Sequence, residues 1–221
     1  MRFRASATIV IGAVAVIAAT AVYAVVRWRA SQATTDAGFW WDDAPFILSR
    51  DDAAKIGGPL TAAELATIRT IARADVERAF ADLRIRITDD REAFWRVTVV
   101  GTPAGSPSFR YPFAAAGESH VFGPLGSWGS VGFLILAHNA IEYAPPSASR
   151  GEIVAGIGHG IGRAAVHEFA HQALGLDNVS YIDNRTDIAS YEYANADRPS
   201  QYYGELRWTT AWPVLQRRFG R

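Results

Sequence analysis

The first hydrophobic feature of the chain has no polar interruption. From Ala5 to Val26 it reads ASATIVIGAVAVIAATAVYAVV, with Arg2, Arg4, Arg27 and Arg29 just outside. At about 1.5 Å per residue this run makes a helix of roughly 33 Å, enough to cross the hydrocarbon core of a bilayer. Ala19-Thr20-Ala21 resembles a small-x-small cleavage site. The apolar residues nevertheless continue past it into Arg27-Trp28-Arg29, a cation and aromatic set of the kind that ends a spanning helix. The pattern therefore predicts a retained membrane anchor over residues 1–30, spanning through 5–26.

Residues 31–59 read as a tether with an aromatic cluster, Phe39-Trp40-Trp41, expected to pack onto the following domain. Regular periodicity begins at Thr61-Ala-Ala-Glu64, a capping box, after which Leu65, Ile68, Ala72, Val76, Ala79, Phe80 and Leu83 recur at helical spacing. Arg84-Ile-Arg-Ile-Thr88 alternates polar and apolar positions, and Phe94 to Val100 is β-branched and aromatic, so both predict strands. From Gly101 to Gly129 no period holds, and an irregular stretch with one short strand is expected. Val131 to Ala137 is a continuous apolar run that predicts a buried strand, and a helix over Arg163 to Leu174 follows. Trp208 to Phe219 predicts a short covering helix interrupted by Pro213, with Arg217 and Arg218 complementing its dipole. Helix, then strands, then helices indicates an α+β domain over 60–221.

Composition changes this picture in two places. The 22 basic and 22 acidic residues cancel, but four arginines and no acid lie in the first 30 residues, so the remainder carries −4. That mild acidity argues against a nucleic-acid binder, and the absence of cysteine excludes disulfides and thiolate metal sites. The flanking charges favour, weakly, an N-terminus inside and a single-pass protein whose domain lies outside the cytoplasm.

Two motifs invite chemistry. Gly156, Gly158, Gly160 and Gly162 are uniformly spaced, matching neither a dinucleotide fingerprint nor a P-loop, and Lys55 is the only lysine, so no nucleotide is expected. Those glycines are expected to form a turn ahead of the next helix. That helix carries His167-Glu168-Phe-Ala-His171, and Gly175 stands where a C-terminal cap belongs. Residues four apart share one helix face with about 6 Å of rise, so the two imidazoles can grip one zinc ion. Glu168 can then reach a zinc-bound water whose pKa falls toward ~7, taking its proton as the water attacks a carbonyl. Burying two histidines and a glutamate with neither a metal nor an ion-pair network would be costly.

Through His167 to His171 the sequence resembles the zincin metallopeptidases, and Ala173-Leu-Gly-Leu-Asp177 looks like the matrixin continuation with one residue inserted. The likeness covers a tenth of the chain at most. It implies an α+β fold with a sheet above the helix, one catalytic zinc, and hydrolysis of peptide or protein substrates. Such enzymes commonly hold substrate along an edge strand, for which Val131 to Ala137 is the candidate.

The third ligand departs from one pattern and matches another. Asp177 falls at the metzincin position, but Leu174 replaces the turn glycine and Met1 is the only methionine, so no Met-turn exists. Gluzincins take a glutamate from a second helix about twenty residues on, which implies Glu192; Asp177, Asp183 and Asp187 remain alternatives. Asn195 or Asp197 is a candidate to orient a ligating histidine. Tyr203, or Tyr202, is the candidate oxyanion stabiliser, with packing as its competing role. His159 is expected in a loop, and His120 and His138 carry no spacing argument. The expectation is a membrane-anchored, gluzincin-like zinc metallopeptidase; the alternative is an inactive zincin-fold binding module using zinc structurally or to hold a partner.

Overall fold

The computed structural model describes residues 33–101, 116–122, 126–175 and 189–221. The 5–26 segment therefore lies outside the described residues, as do Asp177, Asp183 and Asp187; among the described residues no helix is long and apolar enough to cross a membrane.

One compact unit spans Thr35–Arg221. It is an α+β domain with a five-stranded mixed sheet, made of β1 (Thr35–Trp41), β2 (Ile85–Thr88), β3 (Trp95–Val100), β4 (Gly117–Val121) and β5 (Ser127–Gly132) in the order β2-β1-β3-β5-β4. Four strands are parallel, and β4 pairs antiparallel with β5 at one edge. Six helices accompany the sheet among the described residues: α1 (Arg50–Lys55), α2 (Ala62–Phe80), α3 (Phe133–Glu142), α4 (Arg150–Leu174), α5 (Ser200–Tyr203) and α6 (Trp212–Phe219).

Several elements sit where the pattern placed them. Thr61 and Glu64 form the expected capping box of α2, and Ile68, Ala72, Val76 and Phe80 form its buried stripe. In β3 the alternation is strict, with Trp95, Val97 and Val99 buried. Trp208 and Leu215 cover the core, and Pro213 opens α6 rather than interrupting it, since its missing N–H is unpaired there anyway. Arg217 and Arg218 lie in the last turn of α6 as expected, and Arg218 also donates to the Ala173 and Leu174 carbonyls at the end of α4 (3.1 and 3.0 Å).

Four expectations change. The stretch read as a tether contains β1, a strand lying between β2 and β3 with its Phe39 buried, and α1 as well, so the compact unit begins at Thr35 rather than at residue 60. The apolar run Val131 to Ala137 is divided: Val131 ends β5, and Phe133 begins α3. Periodicity cannot tell a buried strand from a buried helix start in so short a run. The edge strand next to β5 is accordingly β4, inside the stretch expected to be mostly irregular, and the other edge is β2.

The fourth change concerns the glycines, which lie within α4. That helix starts at Ser149, whose side chain and Glu152 form a second capping box, and ends at Gly175 in the left-handed region at φ 75°. The glycines fall on two faces of it. A Cβ at Gly158 would stand 2.8 Å from the Ile71 Cβ, and one at Gly162 would stand 2.7 Å from the Ala72 carbonyl oxygen, so these two let α4 lie against the α2 backbone. Gly156 and Gly160 leave room for the rings of Tyr203 and Tyr202. His159, among them, is helical and paired to Asp75 at 2.7 Å.

Crowding at the α2–α4 contact sets an expectation. Gly158→Val should destabilise the domain by about 1–3 kcal/mol, whereas Gly151→Ala, with only Ser149 Oγ nearby at 3.9 Å, should be neutral or stabilise by up to about 1 kcal/mol. Urea denaturation of the two variants distinguishes them.

Acid sensitivity has an assignable source at the start of the same helix pair. The Arg150 guanidinium, followed by the Thr61 amide, holds the Glu64 carboxyl down from 4.5 to about 2. A carboxyl held below its unfolded value stabilises the fold above about pH 4.5 and loses that contribution as pH falls toward 2. Glu64→Gln should flatten the dependence of unfolding free energy on pH across that interval.

Candidate functional site

The two motif histidines lie in the last turns of α4. Their rings stand edge to face with centroids 4.7 Å apart, and the two Nε2 atoms approach to 3.1 Å. His171 is 1% exposed and His167 is half-buried. His167 Nδ1 lies 3.0 Å from the Tyr191 carbonyl oxygen. A carbonyl only accepts, so Nδ1 carries the proton and Nε2, the ring's acceptor nitrogen, faces His171 Nε2.

Glu168 is buried beneath the edge strand. Ser119 of β4 donates to the Glu168 carbonyl at 3.0 Å. A Cβ at Gly117 would collide with Glu168 Oε1, so the absence of a side chain there is what admits the carboxylate. Gln172, one turn on, binds the Arg96 amide through Oε1 (3.0 Å) and the Arg96 carbonyl through Nε2 (2.9 Å), fixing α4 to β3. Phe169 meets Phe80 of α2 edge-on at 6.0 Å. Residues 167–172 are thus held by the sheet on one side and by α2 on another.

Glu192 lies in a 3-10 turn, Tyr191–Tyr193, and is fully buried. Its Oε1 accepts from Thr209 N (3.1 Å), Thr209 Oγ1 (2.5 Å) and Ala211 N (3.1 Å). Among the described residues it forms no group with the two histidines in which all ligand atoms lie within 4.8 Å of one another. Glu192, the expected third ligand, thus stands apart from the two histidines here: it adjoins the residue that holds His167, and its carboxylate is engaged by the 209–211 segment.

Tyr203 is also placed differently from its expected role. Its hydroxyl donates to the Ala140 carbonyl at 2.5 Å, burial pushes it up to about 12, and its ring covers Gly156. Gly156 precedes His167 by about three helical turns, roughly 16 Å, so Tyr203 is a packing residue and not an oxyanion stabiliser. Tyr202 packs on Gly160 and donates to the Ala196 carbonyl at 2.7 Å. Asn195 Oδ1 accepts from Asp197 N at 2.8 Å in a local turn, and the group that orients His167 is the Tyr191 carbonyl. That contact had no sequence signal, because every residue has a carbonyl.

Two further clusters lie away from the motif. On α2 and α4, buried Asp75 meets His159 (2.7 Å), Arg78 (3.2 Å) and Arg163 (3.6 Å). Arg163 also donates to the Ser200 and Gln201 carbonyls (3.1 and 3.0 Å), and burial lowers its pKa from the ordinary value. Between α1 and α3, the ligand atoms of Asp52, His138 and Glu142 lie within 4.8 Å of one another. There His138 Nδ1 is 2.9 Å from Asp52 Oδ1, and Lys55 forms an ion pair with Glu142, so protein groups already engage both carboxylates. Its signal was the spacing of four between His138 and Glu142, the same spacing that singled out the motif histidines.

Comparison with known protein families, with curated proteins and with solved structures finds no match to this chain.

The clearance at Gly117 can be tested. Gly117→Ala must displace the Glu168 carboxylate; if that group acts on substrate, hydrolytic turnover should fall by about 100-fold while the urea midpoint stays near wild type. Unchanged turnover would rule out dependence on the Gly117–Glu168 contact.

Proposed function

We propose that the chain is a zincin-type, zinc-dependent metallopeptidase anchored in a membrane through residues 5–26, with its domain outside the cytoplasm. One observation carries the enzymatic reading: His167 and His171 present Nε2 atoms 3.1 Å apart beside a buried Glu168. Nitrogens bound tetrahedrally at ~2.0–2.1 Å from zinc lie about 3.3 Å apart, so the pair fits the ion nearly as it stands. The Tyr191 carbonyl supports the same reading, since it fixes the ring orientation that a ligating histidine needs.

When bound, zinc would supply Lewis acidity and make a coordinated water acidic near neutrality. This chain's residues do the rest. His167 and His171 hold the ion, Glu168 accepts and later returns a proton at its carboxylate, and the neighbouring strand shields that carboxylate from bulk water. The edge strand β4 runs past Glu168 and offers an extended peptide a partner for backbone pairing, the role expected of residues 131–137. With Glu192 engaged elsewhere, the gluzincin-like assignment loses its ligand, and the third donor is sought among Asp177, Asp183 and Asp187. Anchoring rests on the uncharged run and its flanking arginines.

Wild-type protein should hold one zinc per chain and cleave peptides. Glu168→Gln should keep the zinc and lose about 10²- to 10⁴-fold in turnover, and His171→Ala should lose the zinc. Turnover that survives Glu168→Gln would sink the mechanism. Zinc retained by wild type without cleavage of any peptide would identify a binding module instead. Single alanine variants of the three aspartates, scored for zinc content, assign the third ligand.

A further inference from the structure

We propose that Glu192 is a positioning residue for the zinc site, acting through the Tyr191 carbonyl to keep His167 protonated on Nδ1 and its Nε2 turned toward His171. The proposal rests on the reading of His167 and His171 as zinc ligands.

The geometry leading to it is continuous. His167 Nδ1 donates to the Tyr191 carbonyl at 3.0 Å. The turn that bears this carbonyl is short, and helices as short as one turn have little stability of their own. Its position is set from outside by the segment 207–211. Tyr191 N donates to the Arg207 carbonyl at 3.1 Å, and Ser190 bridges Arg207 in parallel. The Tyr191 ring lies 5.0 Å from that of Trp208, whose Nε1 donates to the Ala79 carbonyl at 2.6 Å. Glu192 closes this grip from the other side. One fully buried carboxylate oxygen gathers two amides and a hydroxyl from Thr209 and Ala211. Hydrogen bonds to a charged acceptor are the strong class, and losing the acceptor would leave the buried Ala211 amide and two half-buried Thr209 donors without it.

A ligand role makes different demands. Zinc donors stand about 3.3 Å apart, and among the described residues Glu192 is not within 4.8 Å of both histidine nitrogens. Its other oxygen, Oε2, is buried and has no hydrogen-bond partner, so swinging the carboxylate onto a metal would break three bonds at Oε1. A positioning role uses the arrangement as it stands.

The two roles separate in the metal-free protein. Histidine ring ¹⁵N spectra of the full chain in detergent, stripped of zinc, should show His167 as the Nδ1–H tautomer in wild type. Glu192→Ala should show mixed tautomers and bind zinc 10- to 100-fold more weakly at unchanged stoichiometry. Glu192→Gln keeps an oxygen for the Thr209 and Ala211 donors, so it should retain the wild-type tautomer and bind zinc within about tenfold of wild type. It also keeps the proposal testable if the alanine variant fails to fold. Loss of zinc by Glu192→Gln with the His167 tautomer intact would overturn the proposal and restore Glu192 as a ligand. An unchanged tautomer in folded Glu192→Ala would overturn it too. Wild-type protein that binds no zinc would instead remove the metal-site reading, whatever the tautomer.

Discussion

The fold depends on how closely α4 can approach its neighbours. Side chains ordinarily keep helix axes 8–10 Å apart, and Gly158 and Gly162 remove that spacer on the face toward α2. Gly156 and Gly160 do the same toward Tyr203 and Tyr202. The helix is consequently enclosed, with the sheet across its later turns and the 190–211 chain along its flank. Two of its long polar groups are tied to several partners, Arg163 to Asp75 and two carbonyls, and Gln172 to both sides of the Arg96 peptide. A buried cation or amide without such bonds would cost more than the packing returns.

Within that enclosure the motif is assembled from two directions. From the sheet side, β4 fixes Glu168 by a hydroxyl on its carbonyl and by an empty position over its carboxylate. From the opposite end of the sequence, the turn at Tyr191–Tyr193 fixes His167. Arg218 closes the same helix end by satisfying the last carbonyls of α4, groups that a helix terminus leaves unpaired.

The parts of this arrangement that were legible in the sequence are those set by local periodicity. The capping box at Thr61, the buried stripe of α2, the alternation in β3 and the pairing of His167 with His171 all follow from spacings of two, three or four residues. The failures have one physical origin, namely tertiary context overriding a local signal. Four glycines read as a turn because glycine weakens isolated helices, and here close packing supplies the compensation. Phe39 to Trp41 packs onto the domain as expected, but nothing local shows that it does so as a strand paired with residues 97–99. Glu192 stood at a ligand's spacing along the chain, while its direction is decided by Thr209 and Ala211.

The uneven composition of α4 divides what is local from what is long-range in the motif's geometry. Its first half carries the glycines, each worth about 1 kcal/mol against helix formation relative to alanine, so this half leans on its packing against α2 for stability. The second half, from Arg163 to Leu174, is rich in alanine and other helix formers and can begin to wind unaided. The two histidines therefore owe their mutual register to local helix geometry alone. Their aim, set by a carbonyl more than twenty residues downstream, arrives only with the long-range contacts that complete the domain.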